Sequence, residues 1–193
     1  ASTSVPVLEL RAGIIIGSGS ASFEMLRHLT HRLPIMTTPK WVSNRTQPIA
    51  IRDVLYYLRS AANLTQPENR ICDIGGPEVV TYAAMMQNFS KLSGLRKRII
   101  IQVPVLTPKL SSLWIGFVTP VPTSLARPLV ESLISEVVVD SRKSVTDLIP
   151  LPPEGLLTVS QAIELALTRV AENHVDTRWS DASFPMAPWQ KAQ

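Results

Sequence analysis

Val5-Pro6-Val7-Leu8-Glu9-Leu10-Arg11-Ala12-Gly13-Ile14-Ile15-Ile16 opens with apolar alternation and closes as a continuous β-branched run. That pattern predicts one strand over 5–16, buried on both faces as in a parallel sheet. Gly17-Ser18-Gly19-Ser20 stops it, and Phe23, Leu26, Leu29 and Leu33 then recur at helical spacing up to Pro34. Strand, tight loop and helix in that order predict an α/β unit. In such a strand the Arg11 guanidinium would need a partner, with Glu9, Asp53 and Asp73 as the candidate carboxylates.

The same alternation continues outward. After a polar loop with Pro39, Asn44 and Pro48 comes a short strand, Ile49 to Ile51, and then a helix through Val54, Leu55, Leu58 and Ala61 with Asp53 placed as its N-cap. Arg70 to Ile74 reads as a strand closed by Gly75-Gly76-Pro77. Thr81 caps a helix through Met85, Met86 and Phe89 that ends at Gly94, and Ile99 to Val103 form a further strand. Leu106, Leu110, Leu113, Trp114, Ile115, Phe117, Val118 and Val121 crowd a proline-rich stretch that reads as an apolar excursion from the sheet. Val137 to Val139 look like a last short strand. Thr158-x-x-Gln161 is a capping box, and Val159, Ala162, Ile163, Ala166 and Val170 trace one helical face. Beyond Asn173 no period survives.

The 193 residues are 45% hydrophobic and 18% charged, which excludes a disordered or fibrous chain and suffices for one core. The single cysteine, Cys72, excludes an internal disulfide framework and suits a reducing, cytoplasmic setting. No apolar run reaches spanning length, so no membrane span is expected. The net charge of +4 is unevenly spread: residues 1–127 hold 14 Lys and Arg against 6 Asp and Glu, and the remainder is acidic. The one tight basic run, Arg96-Lys97-Arg98, reads as cations solvating a helix end, so no specific nucleic-acid partner is expected.

Three chemical patterns fail on context. Gly13-x3-Gly17-x-Gly19 matches a dinucleotide-binding glycine spacing, yet Ile14 to Ile16 continue the strand past the first glycine, and no acid stands about twenty residues on to hold a ribose. Glu24, His28 and His31 share a helix face at metal-ligand spacing without a fourth clustered ligand, which describes a solvated face and no metal site. Tyr56, Tyr57 and Tyr82 lack a Lys four residues on, so no Tyr/Lys proton-transfer pair is encoded and no catalytic residue is assigned. One positive signal remains: Gly17 to Gly19 lie just past the carboxyl end of a strand, where open α/β sheets bind ligands.

The ordered set LRAGIIIGSGSASFE, QPIAIRD and DIGGPEVVTY resembles the carboxyl-terminal half of an extended or atypical short-chain dehydrogenase/reductase, in the NAD-dependent epimerase/dehydratase-like superfamily. In that superfamily a late Rossmann strand carries LRxxxxxG, a later segment reads close to IHVxD, and a strand ending in GGPE leads into a Thr- or Ser-capped helix. Asp53 matches the acid of IHVxD, beside its reading as an N-cap, while Ala50 departs from the usual His or Tyr. The resemblance implies an α/β fold: a partial Rossmann-type sheet with a small substrate-binding lobe, lacking the amino-terminal dinucleotide-binding βαβ units. Residues 1–150 would hold the last strands and the lobe, 151–175 an amphipathic helix, and 176–193 a tail or a linker to a further domain.

Carried over by position, Gly17 and Ser18 would approach the nicotinamide ribose of NAD or NADP, and Gln47, Pro48, Ile49 and Trp114 would line the substrate cleft. The density of apolar residues over 106–121 implies a small apolar substrate, because a Leu-, Trp- and Phe-lined pocket does not repay the desolvation of a diphosphate. Two functions are compatible with the resemblance. The chain is expected to be a portion of an NAD(P)-dependent oxidoreductase or epimerase that binds cofactor poorly and is inactive alone. The alternative is a non-catalytic nucleotide-binding structural or sensor subunit with an apolar contact surface. Either way, the apolar stretch predicts a homodimer or larger assembly, with Trp114 and Phe117 buried at a contact between copies or over an open cleft.

Overall fold

The computed structural model describes residues 5–66, 68–102, 131, 132, 134–172, 174 and 175. Its architecture is α/β and built from small two-stranded sheets, a partial and unclosed Rossmann-like arrangement. Strand β1 (Leu8–Ala12) runs parallel to β6 (Arg70–Ile74), and β2 (Ile15–Ile16) runs parallel to β5 (Ile49–Ala50). Strand β3 (Ile35–Thr38) runs parallel to β8 (Ile99–Gln102), and β4 (Arg45–Thr46) pairs antiparallel with β7 (Val80–Thr81). Helices α1 (Ala21–Arg32), α2 (Ile51–Ala62), α3 (Tyr82–Leu92) and α4 (Val159–Ala171) cover them.

The single strand expected over 5–16 is two strands that serve two cores. Leu8, Leu10 and Ala12 pack on the cluster of Ile49, Val54, Tyr57, Cys72, Ile74, Val145 and Ile149, as does Ile15. Ile14 and Ile16 belong instead to the larger cluster around Phe23, Met25, Met85, Phe89 and Ile163. On an unbroken strand all even-numbered residues share a face, so the side-chain parity reverses at Gly13. Val137 packs on Gly13 at this point: a Cβ there would lie 2.9 Å from Val137 Cγ1. Burial on both faces therefore holds for β2 and not for β1, whose Glu9 and Arg11 face outward. Arg11 is 53% exposed and its Nε donates to Glu9 Oε1 at 2.7 Å, a surface pair that costs no desolvation.

Helix α1 begins where Ser20 Oγ accepts from the Phe23 N–H and ends at Arg32, with Leu33 as its cap just ahead of Pro34. Proline has no N–H, so the carbonyl of Thr30 loses its ordinary i+4 donor. Arg98 supplies the replacement: buried, it donates from Nε to Thr30 O at 2.7 Å, while Gln87 clasps its backbone through both amide atoms. One member of the basic run is thus an interior strut, in place of the solvating cation expected.

On the same helix Glu24 accepts from Arg27 at 2.7 Å and lies 3.3 Å from His28, a local ion-paired face. Burial and the Arg27 charge push the His28 imidazole below its usual range, outweighing the neighbouring Glu24 carboxylate. His31, edge-on to Phe89, is lowered by burial and by Arg27 and Arg98. Folding then favours the neutral rings, so their contribution is intact above the ordinary histidine pKa and lost as pH falls through it. The drop in melting temperature between pH 7.5 and pH 5 should accordingly shrink in His28→Gln. An equal drop in the wild type and the variant would contradict this.

Helix α2 starts at Ile51, three residues earlier than the Asp53 cap predicts, which also shortens the preceding strand to Ile49–Ala50. Its N-cap, Ala50, has no side-chain acceptor. Asp53 lies inside the first turn and is fully buried, where it ties α2 to the segment before α4. Thr81 caps α3 as expected, through Ala84 N, and Gly94 comes after α3 with φ of +67°. The Thr158/Gln161 capping box opens α4. The last strand expected over 137–139 reduces to a bridge between Val137 and Thr46. Gln47 N donates to Val137 O, but the Ile49 N–H turns to Ile14 O and the Gln47 side chain takes the Val139 N–H, so the ladder cannot continue. Residues 106–121 and 176–193 lie outside the described residues. No helix among the described residues is long and apolar enough to cross a membrane.

Candidate functional site

Two parallel strands end side by side at Ile16 and Ala50, and the connections leaving them build the site. After β2 the chain turns through Gly17 and Ser18, held by Ser20 N donating to Gly17 O at 3.2 Å and by Gly19 at φ +80°. After β5 it enters α2 directly. Gly17 lets the two connections touch, since a Cβ there would lie 2.8 Å from Ile51 Cγ2. Helix α4 closes the third side. The result is a cleft of about 580 Å³, with Gly17, Ser18, Ala50 and Ile51 at one end and Ala162, Leu165, Ala166 and Arg169 along α4. Ile16 and Leu55 complete its apolar surface, Arg52 and Arg169 are its cationic groups, and the His174 imidazole stands beside them. A volume of this size suits one small organic ligand.

Asp53 fixes the relation of α2 to α4 from beneath this cleft. Its Oδ1 accepts from Arg52 Nε and Nη2 at 2.8 and 2.7 Å, and its Oδ2 accepts from the Leu157 N–H at 2.9 Å. Arg52 Nη2 also donates to Gly155 O at 2.7 Å. The buried carboxylate is thereby paired and hydrogen-bonded through both oxygens, the condition under which burying a charge is tolerable. It tethers the segment that leads into α4, so the third wall of the cleft depends on it.

Of the residues singled out in the sequence, Gly17 and Ser18 border this cleft. Gln47, Pro48 and Ile49 stand apart from it. Gln47 Nε2 donates to Gly76 O at 2.7 Å while its Oε1 accepts from Val139 N at 3.0 Å. Pro48 O accepts from Gly76 N at 2.9 Å, and Ile49 is fully buried. Gln47 and Asp73 line two smaller cavities, of about 180 and 140 Å³. Trp114 lies outside the described residues.

Leu55, Leu165, Arg169 and His174 line the cleft without having been marked as site residues by any sequence motif. Leu55 does carry a signal: Ile51, Leu55 and Leu58 form a second, exposed apolar row on α2 at i, i+4 and i+7, beside the buried Val54 and Tyr57. Arg169 stands four residues beyond Leu165, one step off the apolar face traced for α4. Among the described residues no three His, Cys, Asp or Glu gather as a metal-binding group.

A dinucleotide fits this site in part. The backbone approach that a glycine would offer to a pyrophosphate is taken at Gly17 by Ile51, so the loop does not form a phosphate cradle. The apolar walls and small residues beside Ser18 suit the nicotinamide end of such a cofactor.

No family model matches the sequence, and no curated protein matches it. Solved structures do resemble it. An NAD-dependent NDP-hexosamine 5,6-dehydratase involved in tunicamycin biosynthesis, TunA, superposes with a TM-score of 0.59 at 14% identity, over 92% of this chain and 50% of that one. UDP-glucose 4-epimerase from Thermotoga maritima gives 0.57 at 10% identity, over 88% and 47%. UDP-glucuronic acid 4-epimerase from Bacillus cereus, solved with UDP-glucuronic acid and NAD, gives 0.55 at 14% identity, over 88% and 46%. The chain spans about half the length of these proteins, and identities this low establish fold alone. It carries a partial Rossmann-type α/β architecture of the kind found in NAD-dependent epimerases and dehydratases.

Proposed function

We propose that this chain is a portion of an NAD(P)-dependent oxidoreductase or epimerase, in which it contributes sheet strands and a ligand-facing lobe without turning over substrate by itself. The observation that carries the proposal is the cleft at the carboxyl end of β2, bordered by Gly17 and Ser18, in a fold shared with sugar-nucleotide enzymes that are NAD-dependent or solved with NAD. In this reading Gly17 and Ser18 stand beside the nicotinamide ribose. Gln47 and Pro48 support the neighbouring substrate wall through Gly76, with Ile49 behind them, and Trp114 belongs to the substrate side.

The chain's own phenols support inactivity in isolation. A proton-transferring tyrosine needs a cation that stabilises its phenolate. Here burial raises the hydroxyls of Tyr57 and Tyr82 above the ordinary tyrosine range, and the Tyr56 hydroxyl donates to Pro150 O at 3.0 Å. The same features favour a second reading, a non-catalytic nucleotide-binding structural or sensor subunit; turnover by a longer protein containing this chain separates the two. In both readings the assembly is homo-oligomeric. Calorimetric titration of the chain with NADH and NADPH should show binding far weaker than micromolar and no turnover. Low-micromolar affinity for either nucleotide would overturn the account of the chain as an incomplete site.

A further inference from the structure

The lining of the 580 Å³ cleft is chemically one-sided. Its walls are aliphatic, and three of its large side chains lie open to solvent: Leu55 is 57% exposed, Ile51 39% and Leu165 37%. Side chains of this kind ordinarily turn inward, and three converging on one concavity mark a surface that gains by being covered. Among the described residues the charged groups at the cleft are both basic: Arg52 and Arg169 line it, beside the His174 imidazole, and no Asp or Glu does. They are not equally available. Arg52 is committed to Asp53 and the Gly155 carbonyl, and His174 Nδ1 lies 3.6 Å from Glu172. Arg169, on the exposed side of α4 one turn beyond Leu165, is the guanidinium left to meet a ligand.

An aliphatic trough with one available guanidinium matches an organic monoanion: a carboxylate or sulfonate on an apolar body. Arg presents a planar fork that suits such a head group. A diphosphate would bring two or more charges against that one group, and a neutral apolar ligand would leave the guanidinium unused. The small Ala50, Ala162 and Ala166 keep the trough wide, which favours a flat or unbranched body.

We infer that this cleft binds an apolar monoanion, its head group on Arg169 and its body along Ile51, Leu55 and Leu165. The inference rests on the proposed reading of the cleft as a ligand site and names the substrate class that site takes. The probe is 8-anilinonaphthalene-1-sulfonate, with the uncharged N-phenyl-1-naphthylamine as its neutral counterpart, both followed by fluorescence with the folded chain. One sulfonate probe per chain should bind at micromolar concentration. Arg169→Gln should weaken it about tenfold and leave the neutral probe within about twofold, while Arg169→Lys should restore most of the loss. Arg169 is exposed on its helix, so these variants keep the fold, which circular dichroism checks. Equal affinity of wild type and Arg169→Gln for the sulfonate, or several sulfonates bound per chain, would overturn the inference. Failure of the NAD(P)-linked reading shows elsewhere: a sulfonate that binds through Arg169 in a chain without detectable NADH contact at the cleft would leave the anion site standing and remove the cofactor.

Discussion

Gly76→Ala should lower stability by about 3 kcal/mol, near the upper end for an overpacked site. A Cβ on Gly76 would lie 2.2 Å from the backbone oxygen of Pro48, and a carbonyl between two structured residues cannot rotate away as a side chain can. That same oxygen accepts the Gly76 N–H at 2.9 Å, and Gly76 O takes the Gln47 amide, so relief of the clash breaks both bonds. For a chain of this size the loss corresponds to a fall in melting temperature of about 6–12 °C. Gly155→Ala provides the contrast. It places a Cβ in open space at φ +76°, a strained backbone without a clash, and should cost about 1 kcal/mol. Thermal melts of the two variants check the difference, and a Gly76→Ala protein as stable as Gly155→Ala would show that the β5–β6 junction is looser than described.

Asp53→Ala should cost a similar amount, about 3 kcal/mol, because it removes the carboxylate that pairs Arg52, leaving that guanidinium only the Gly155 carbonyl, and leaves the Leu157 N–H without its acceptor. Arg52 is partly exposed and recovers some hydration, which places the cost at the low end for a broken buried pair. The effect should also be local. Hydrogen exchange at Leu157 and in the first turn of α4 should quicken more than exchange in β1 and β6, since the tether from α2 is gone. Asp53→Asn keeps one carbonyl oxygen for Leu157 and should retain part of that protection. Uniform exchange changes across the chain would contradict the assignment of Asp53 as the residue that holds α4 against α2.

The features legible in the sequence are those written within a few residues of one another. Thr81 and Thr158 each cap a helix through an N–H three residues on, and β6 is bounded by its own Gly75-Gly76. The interactions that escaped span the chain. Nothing within 5–16 reveals that the strand's parity reverses at Gly13, where Val137 packs against the chain. Nothing in Arg96-Lys97-Arg98 tells which cation meets the Thr30 carbonyl that Pro34 orphans, in a contact between residues 68 positions apart. Asp53 stood at a cap-like place before an apolar run, but its acceptor oxygens serve Leu157, 104 positions later. The site divides in the same way. Gly17 and Ser18 are reached by the rule that ligands lie beyond strand carboxyl ends, whereas Leu165, Arg169 and His174 reach the cleft only because α4 folds back over β2 and β5.

The central claim is that ligands meet this chain at the cleft beyond β2. Amide chemical-shift mapping of the isotopically labelled chain during titration with millimolar NADH tests it most directly, since weak binding still moves resonances in fast exchange. Shifts should concentrate on Gly17, Ser18, Ile51, Arg52 and the Ala162–Arg169 face of α4. Shifts confined to the basic surface around Lys91, Leu95 and Lys97, or none at all, would contradict the claim.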